Sequence, residues 1–120
     1  MVFRMEVKIH DVFPEGPYRA VLVNVEEKET KHGVRIMWTF NLVEKDDAEV
    51  VGFTSTSPSS RAKAYRWAIA IAGQIDRKNG WGPEDVLGGE CIVVLETAED
   101  AQGFEKNKVV QVKPLQKGEA

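Results

Sequence analysis

Between residues 34 and 42 apolar and polar side chains alternate without a break. Val34, Ile36, Trp38, Phe40 and Leu42 share one parity, and Arg35, Met37, Thr39 and Asn41 the other. A period of two is that of a half-buried strand, so the first set is expected in the core and the second on the outer surface. Tyr18–Glu29 reads as an earlier, Val-rich strand whose alternation slips near Val21–Val23. Such a slip marks a β-bulge, which a strand bending around a small barrel needs. Val50–Thr56, Glu90–Thr97 and Phe104–Leu115 read as three further strands, and Met5–Ile9 as a short edge strand or an arm. Turns rich in breakers separate them: residues 13–17, with two prolines and a glycine, then Lys31-His32-Gly33, the acidic Glu44–Glu49, Asn79–Pro83, Gly88-Gly89 and the acidic Ala98–Gly103.

One stretch has the other period. After Ser57, an N-cap residue type, and Pro58, suited to a first helical turn, the run to Gly73 turns at about 100° per residue. Ala62, Ala64, Tyr65, Trp67, Ala68, Ile69, Ile71 and Ala72 then form a broad apolar arc, opposite Ser59, Lys63, Arg66 and Ala70. Arg61 falls within the arc, but at the first turn, from which it can still reach solvent. An arc that wide predicts a helix buried on most sides, a plug under a barrel, stopped by Gly73 in a left-handed C-cap. Glu84–Leu87 fits one further helical turn.

The resulting order is three strands, a helix and two strands. That is the order of the OB-fold, a five-stranded Greek-key β-barrel carrying one helix, whose strand 2–3 face and two loops bind oligonucleotides or oligosaccharides. The expected organisation is an arm or edge strand over residues 1–13, an OB-fold domain over 14–115 and a frayed tail over 116–120.

Composition narrows the class. With 120 residues, 42% of them hydrophobic and 29% charged, the chain suits one domain with a single core. No run approaches the roughly 20 apolar residues of a membrane span, and the N-terminus lacks the apolar core of a signal peptide. Cys91 is alone, so neither a disulfide framework nor a metal cluster is expected, and a cytoplasmic location fits. The net charge of −3 weighs against a strongly basic nucleic-acid binder. Its distribution is uneven. Arg61, Lys63, Arg66, Arg77 and Lys78 face only Asp76 between residues 57 and 78, whereas residues 84–105 carry seven carboxylates and neither Lys nor Arg.

Several runs together resemble a family of short phage and bacterial proteins. They are PEGPYRAVLVNVEEKETKHGVRIMWTFNLVE, TSTSPSSRAKAYRWAIAIAG, DVLGGECIVVLE and FEKNKVVQVKP, covering about Pro14 to Pro114. The family is described as OB-fold, single-stranded-DNA-binding-like proteins. The resemblance implies binding of single-stranded DNA without strong sequence preference, in replication or recombination. The shared features (Gly-x-Tyr, the hydrophobic second strand, Ser-x-Lys before the helical Trp, Leu-Gly-Gly before strand four) are mostly structural.

Single-strand binding needs cations to follow phosphates and flat groups on which bases stack. Lys28, Lys31 and His32 flank the first hairpin, Arg35, Met37 and Thr39 lie on the outer face of strand two, and Lys106 and Lys108 open the last strand. In an OB barrel these surround one groove; the alternative is an ordinary solvated face. Among aromatics, Trp38, Phe40 and Trp67 are expected to pack in the core. Phe53, Trp81 and Phe104 are freer to meet a base, with Trp81 equally suited to a lid over the barrel end. Lys63, with Arg61 and Arg66, either extends the phosphate track or forms the wet side of the helix. The acidic turn Glu96–Glu105 would repel phosphates.

Signals for catalysis are thin. Asp46, Asp47 and Glu49 lack calcium-loop spacing, His10 and His32 lack zinc-finger spacing, and Cys91 reads as a small core residue. The expectation is a non-enzymatic single-stranded-DNA binder without cofactor or metal, able to meet a replication or recombination protein and to self-associate through an edge such as Met5–Ile9. The alternative is a protein-interaction adaptor whose acidic face docks a basic partner. An oligosaccharide-binding barrel rests on fold analogy alone.

Overall fold

The computed structural model describes residues 12–57, 59, 61–75 and 78–115. Five antiparallel strands form one sheet: β1 (Gly16–Thr30), β2 (Gly33–Leu42), β3 (Ala48–Thr54), β4 (Glu90–Glu99) and β5 (Glu105–Pro114). Helices α1 (Lys63–Ala72) and α2 (Pro83–Val86) fall between β3 and β4. The strand order across the sheet is β3-β2-β1-β4-β5. Among the described residues no helix is long and apolar enough to cross a membrane. Met5–Ile9 and the tail 116–120 lie outside the described residues.

β1 is long because it serves two partners. Gly16–Val21 pairs with β4, while Ala20–Thr30 pairs with β2. The changeover falls on the predicted bulge, where the β1–β2 register shifts between Leu22 and Asn24. There the backbone of Leu22 bonds instead to Gly88 and Gly89, at 2.8 and 3.0 Å, so the loop after α2 continues the sheet. Beyond Ile36 the β1–β2 hairpin has no third strand beside it among the described residues. Val34, expected in the core, is therefore 50% exposed, and Ile36 is half-buried. Thr39 departs in the other direction. Flanked by Asn24 on β1 and Val51 on β3, it is buried on the nominally outer face.

The core joins Ala20, Leu22 and Val25 of β1 with Trp38, Phe40 and Leu42 of β2, Val93 and Leu95 of β4, and Ala64, Trp67 and Ala68 of α1. Trp38 is its hub. It meets the Trp67 ring edge-on at 5.5 Å and stacks on Trp81 at 5.3 Å. Its indole N–H donates to Thr54 Oγ1 at 2.9 Å. A buried indole needs such a partner to avoid a desolvation penalty.

Helix α1 starts later than its sequence suggests. Ser57 is not its N-cap; that position is Ala62, which offers no side-chain bond. The serines instead turn the preceding backbone. Ser55, Ser57 and Ser59 each accept through Oγ from the N–H two residues ahead, at 3.4, 3.3 and 3.1 Å. These local bonds give the backbone an alternative to the helical ladder. Pro58 lies outside the described residues. The helix stops where expected, with Gly73 at φ 86° and its N–H donating to the Ile69 carbonyl at 2.8 Å. Only Ala64, Trp67 and Ala68 are fully buried in it, so α1 is a half-embedded cover and not a plug.

The sheet is also not closed. Its edge strands β3 and β5 approach one another without a hydrogen-bonded ladder among the described residues. Side chains join them instead. A Cβ at Gly52 of β3 would lie 2.7 Å from Trp67 Cη2 and 2.9 Å from Val109 Cβ of β5, so the seam pinches where only glycine fits.

Candidate functional site

Beside that pinch β3, β5 and the turns before them line a cleft. The β2–β3 turn and the β4–β5 turn line the same cleft, so both edge strands run from their turns toward Gly52 and Val109. The cleft has a volume of about 1580 Å³. Phe13 sits at the turn end. Asn107 of β5 accepts from its backbone N–H at 2.8 Å and donates to its carbonyl at 2.9 Å, a side-chain amide standing in for a strand neighbour. The Phe13 ring tilts against Tyr18 at 6.2 Å, and Lys45 Nζ lies 5.9 Å from its centroid. Glu15 fixes the same segment to β4 by accepting from the N–H of Thr97 at 2.9 Å and from its hydroxyl at 3.3 Å.

The cleft carries both signs of charge, with an acidic excess near the turns. Near its turn end stand Glu44, Asp46, Glu49, Asp100 and Glu105, with Lys45 and Lys106 among them. Near the pinch stand Lys63 and Lys108. Lys63 Nζ lies 5.0 Å from the Trp67 ring centroid, a cation–π contact. Burial lowers its pKa, the charge of Lys108 adds to the lowering, and Glu96 works against it. Asp100 accepts from the N–H groups of Gln102 and Phe104 at 2.9 and 3.0 Å. Those bonds hold its carboxyl below the ordinary carboxylate range and tie its charge to the turn.

The structure brings most of the sequence-predicted residues to one band. Lys28 and Arg35 are cross-strand partners on β1 and β2, and Met37 and Phe53 are partners on β2 and β3. Arg35 and Met37 are two residues apart, so both pairs share the face opposite Trp38. Phe53, 39% exposed, is where this face turns into the cleft, which it lines together with Lys63, Lys106 and Lys108. Lys31 lies in the turn after β1, which Thr30 braces by donating to the Gly33 carbonyl and accepting from the His32 N–H. Lys108 faces Glu96 across the β4–β5 ladder, and Lys106 faces Ala98.

Trp81 stands apart. One of its ring faces is spent on Trp38, and its loop borders a smaller cavity of about 400 Å³ with Gln74, Ile75, Asn79, Glu84 and Asp85. It covers the core as a lid does. Cys91 is fully buried on β4, and burial pushes its thiol up to about 12, so no thiolate forms near neutral pH. Among the described residues no three His, Cys, Asp or Glu side chains gather as metal ligands would.

Sequence reasoning missed Phe13, Lys45 and Asn107 as cleft elements. The Phe13–Asn107 pair spans 94 positions, and no local pattern announces it. Lys45 was hidden in a turn read as acidic. Comparison with known proteins finds no family model and no curated protein that matches this chain.

Proposed function

We propose that the chain is an OB-type domain that binds single-stranded DNA weakly and without base specificity, as in replication or recombination. The order β3-β2-β1-β4-β5, with a helix between β3 and β4 and facing edges on β3 and β5, supports the OB-type reading. The observation that carries the binding is the placement of Phe53. It is a partly exposed ring continuous with Met37 and Arg35 on one side and with Lys63 and Lys108 on the other. Bases stack on Phe53 and Met37 while Lys28, Lys31, Arg35 and Lys108 hold phosphates. The carboxylates at the turn end of the cleft repel phosphates, so the strand crosses the outer face of β1, β2 and β3 and touches only the pinched end of the cleft.

The test is fluorescence anisotropy of an end-labelled oligothymidine of about 16 nucleotides, the upper range for one such domain. A labelled ligand is needed because Trp38 and Trp67 are buried and would respond little. Binding at low salt that weakens in Arg35→Ala and Phe53→Ala supports the reading. No anisotropy change at low salt removes it and leaves a protein adaptor as the better assignment.

A further inference from the structure

Three large apolar side chains that stay exposed gather at one place. Val12, Phe53 and Phe104, the last of them 67% exposed, all line the cleft between β3 and β5, with half-buried Phe13 following Val12. The described chain also begins there, at Val12, and residues 1–11 lie outside it. We propose that the cleft receives the chain's own residues 2–10 in extended form, laid along β3 and β5 as an added strand.

Pattern, reach and direction select this occupant. Phe3, Met5, Val7 and Ile9 share one parity and Arg4, Glu6, Lys8 and His10 the other, the period of a strand with one apolar face. That face meets the exposed apolar strip of the cleft. Arg4 and Lys8 are balanced by Glu6 and Asp11, which suits a cleft that carries both signs of charge. From Val12 back to Val2 an extended chain spans about 33 Å, at about 3.3 Å per residue. The seven residues of β3 span about 23 Å, so the segment can run the length of that edge. Phe13 is held at the start of the path, with its N–H and its carbonyl both bonded to Asn107. Because β3 and β5 both begin at the turns, a chain leaving Phe13 toward residue 2 is antiparallel to both. Edge strands without ladder partners can take up an extended backbone in that way. At Gly52 and Val109 side chains already close the seam, so there the segment lies over it and not between the edges. Covalent attachment spares this segment the translational and rotational loss that a separate peptide bears on docking. The assignment stands whether or not the outer face holds nucleic acid.

The experiment places a nitroxide on Glu6→Cys in the full chain and reads paramagnetic broadening of backbone amides by NMR. Cys91 is buried and its thiol un-ionised near neutral pH, so the label goes to residue 6. Glu6 lies seven residues before Phe13, about 23 Å of extended chain, which puts the label near Gly52, Phe53, Val109 and Val110. Those amides should lose most of their intensity, while Lys31 and His32 at the tip of the β1–β2 hairpin keep theirs. Broadening in the cleft no stronger than at the hairpin tip overturns the proposal. So does broadening that survives Val7→Asp combined with Ile9→Asp, since a segment that is tethered without docking ignores its own apolar parity. Mixing spin-labelled protein with isotope-enriched, unlabelled protein separates the remaining case. Cleft broadening in that mixture means that a second copy supplies the segment, and the assignment to the same chain fails; its absence supports the assignment.

Discussion

The indole N–H of Trp38 and the hydroxyl of Thr54 form a buried 2.9 Å hydrogen bond that ties the centre of β2 to the last residue of β3. Thr54 is 1% exposed and Trp38 fully buried, so neither group has water as an alternative. Thr54→Val keeps the shape and removes the acceptor. It should cost about 1–3 kcal/mol, the penalty of a buried donor left alone. Urea unfolding measures it, and a variant as stable as the parent would show that Trp38 finds another partner.

Gly52 holds the seam between β3 and β5. Gly52→Ala puts a methyl group within 2.9 Å of both the Trp67 ring and Val109 Cβ, so the ring or the strand must move. A loss of about 1–3 kcal/mol is expected from such overpacking. Near-ultraviolet circular dichroism should change with it, since Trp67 also contacts Trp38 and Phe40. Unchanged stability would mean that the edges are looser than their packing indicates.

Asn107 is a surrogate strand partner for Phe13. Asn107→Leu removes both bonds at once and should cost about 1–3 kcal/mol by leaving part-buried backbone groups unpaired. Hydrogen exchange of the Phe13 amide under native conditions should quicken, since its N–H loses the Asn107 acceptor. An exchange rate equal to that of the parent would place the hold on this segment elsewhere, in Glu15 and Thr97.

Cys91 gives the stability a defined alkaline edge. Its folded thiol is raised from 9.0 to about 12 by burial, so the unfolded chain ionises first. Stability from this group is intact below pH 9 and falls between pH 9 and about 12, because the unfolded state then binds fewer protons. Cys91→Ala should be less stable at neutral pH and show a shallower decline across that window. At pH 8 a thiol reagent should label the native protein only as fast as it opens. Rapid native labelling would contradict the burial of this side chain.

Lys108 tests the link between cleft and nucleic acid. If it neutralises one phosphate, Lys108→Gln should reduce the slope of log affinity for oligothymidine against log salt by about 0.7. An unchanged slope would place the strand wholly on the outer face of β1, β2 and β3.

Local chemistry determined much of this molecule. Alternation from Val34 to Leu42 set the parity of β2, and the slip near Val21–Val23 marked the β1 bulge to within a residue. Gly73 stopped the helix and the turn residues bounded the strands, because burial parity and backbone preference act over a few residues. The grouping of Lys28 with Arg35 was equally readable, since a tight hairpin fixes its own register. Tertiary structure decided the rest. Whether Val34 is covered depends on how far β3 extends, and whether Trp81 is free depends on Trp38, 43 positions earlier. The serines before α1 have the chemistry to cap a helix, but in the fold they accept from the N–H two residues ahead and the helix begins after Ala62. Gly52, Trp67 and Val109, from three different elements, meet at the seam beside the cleft. Each of these is a long-range packing outcome, which the period of a single strand or helix does not encode.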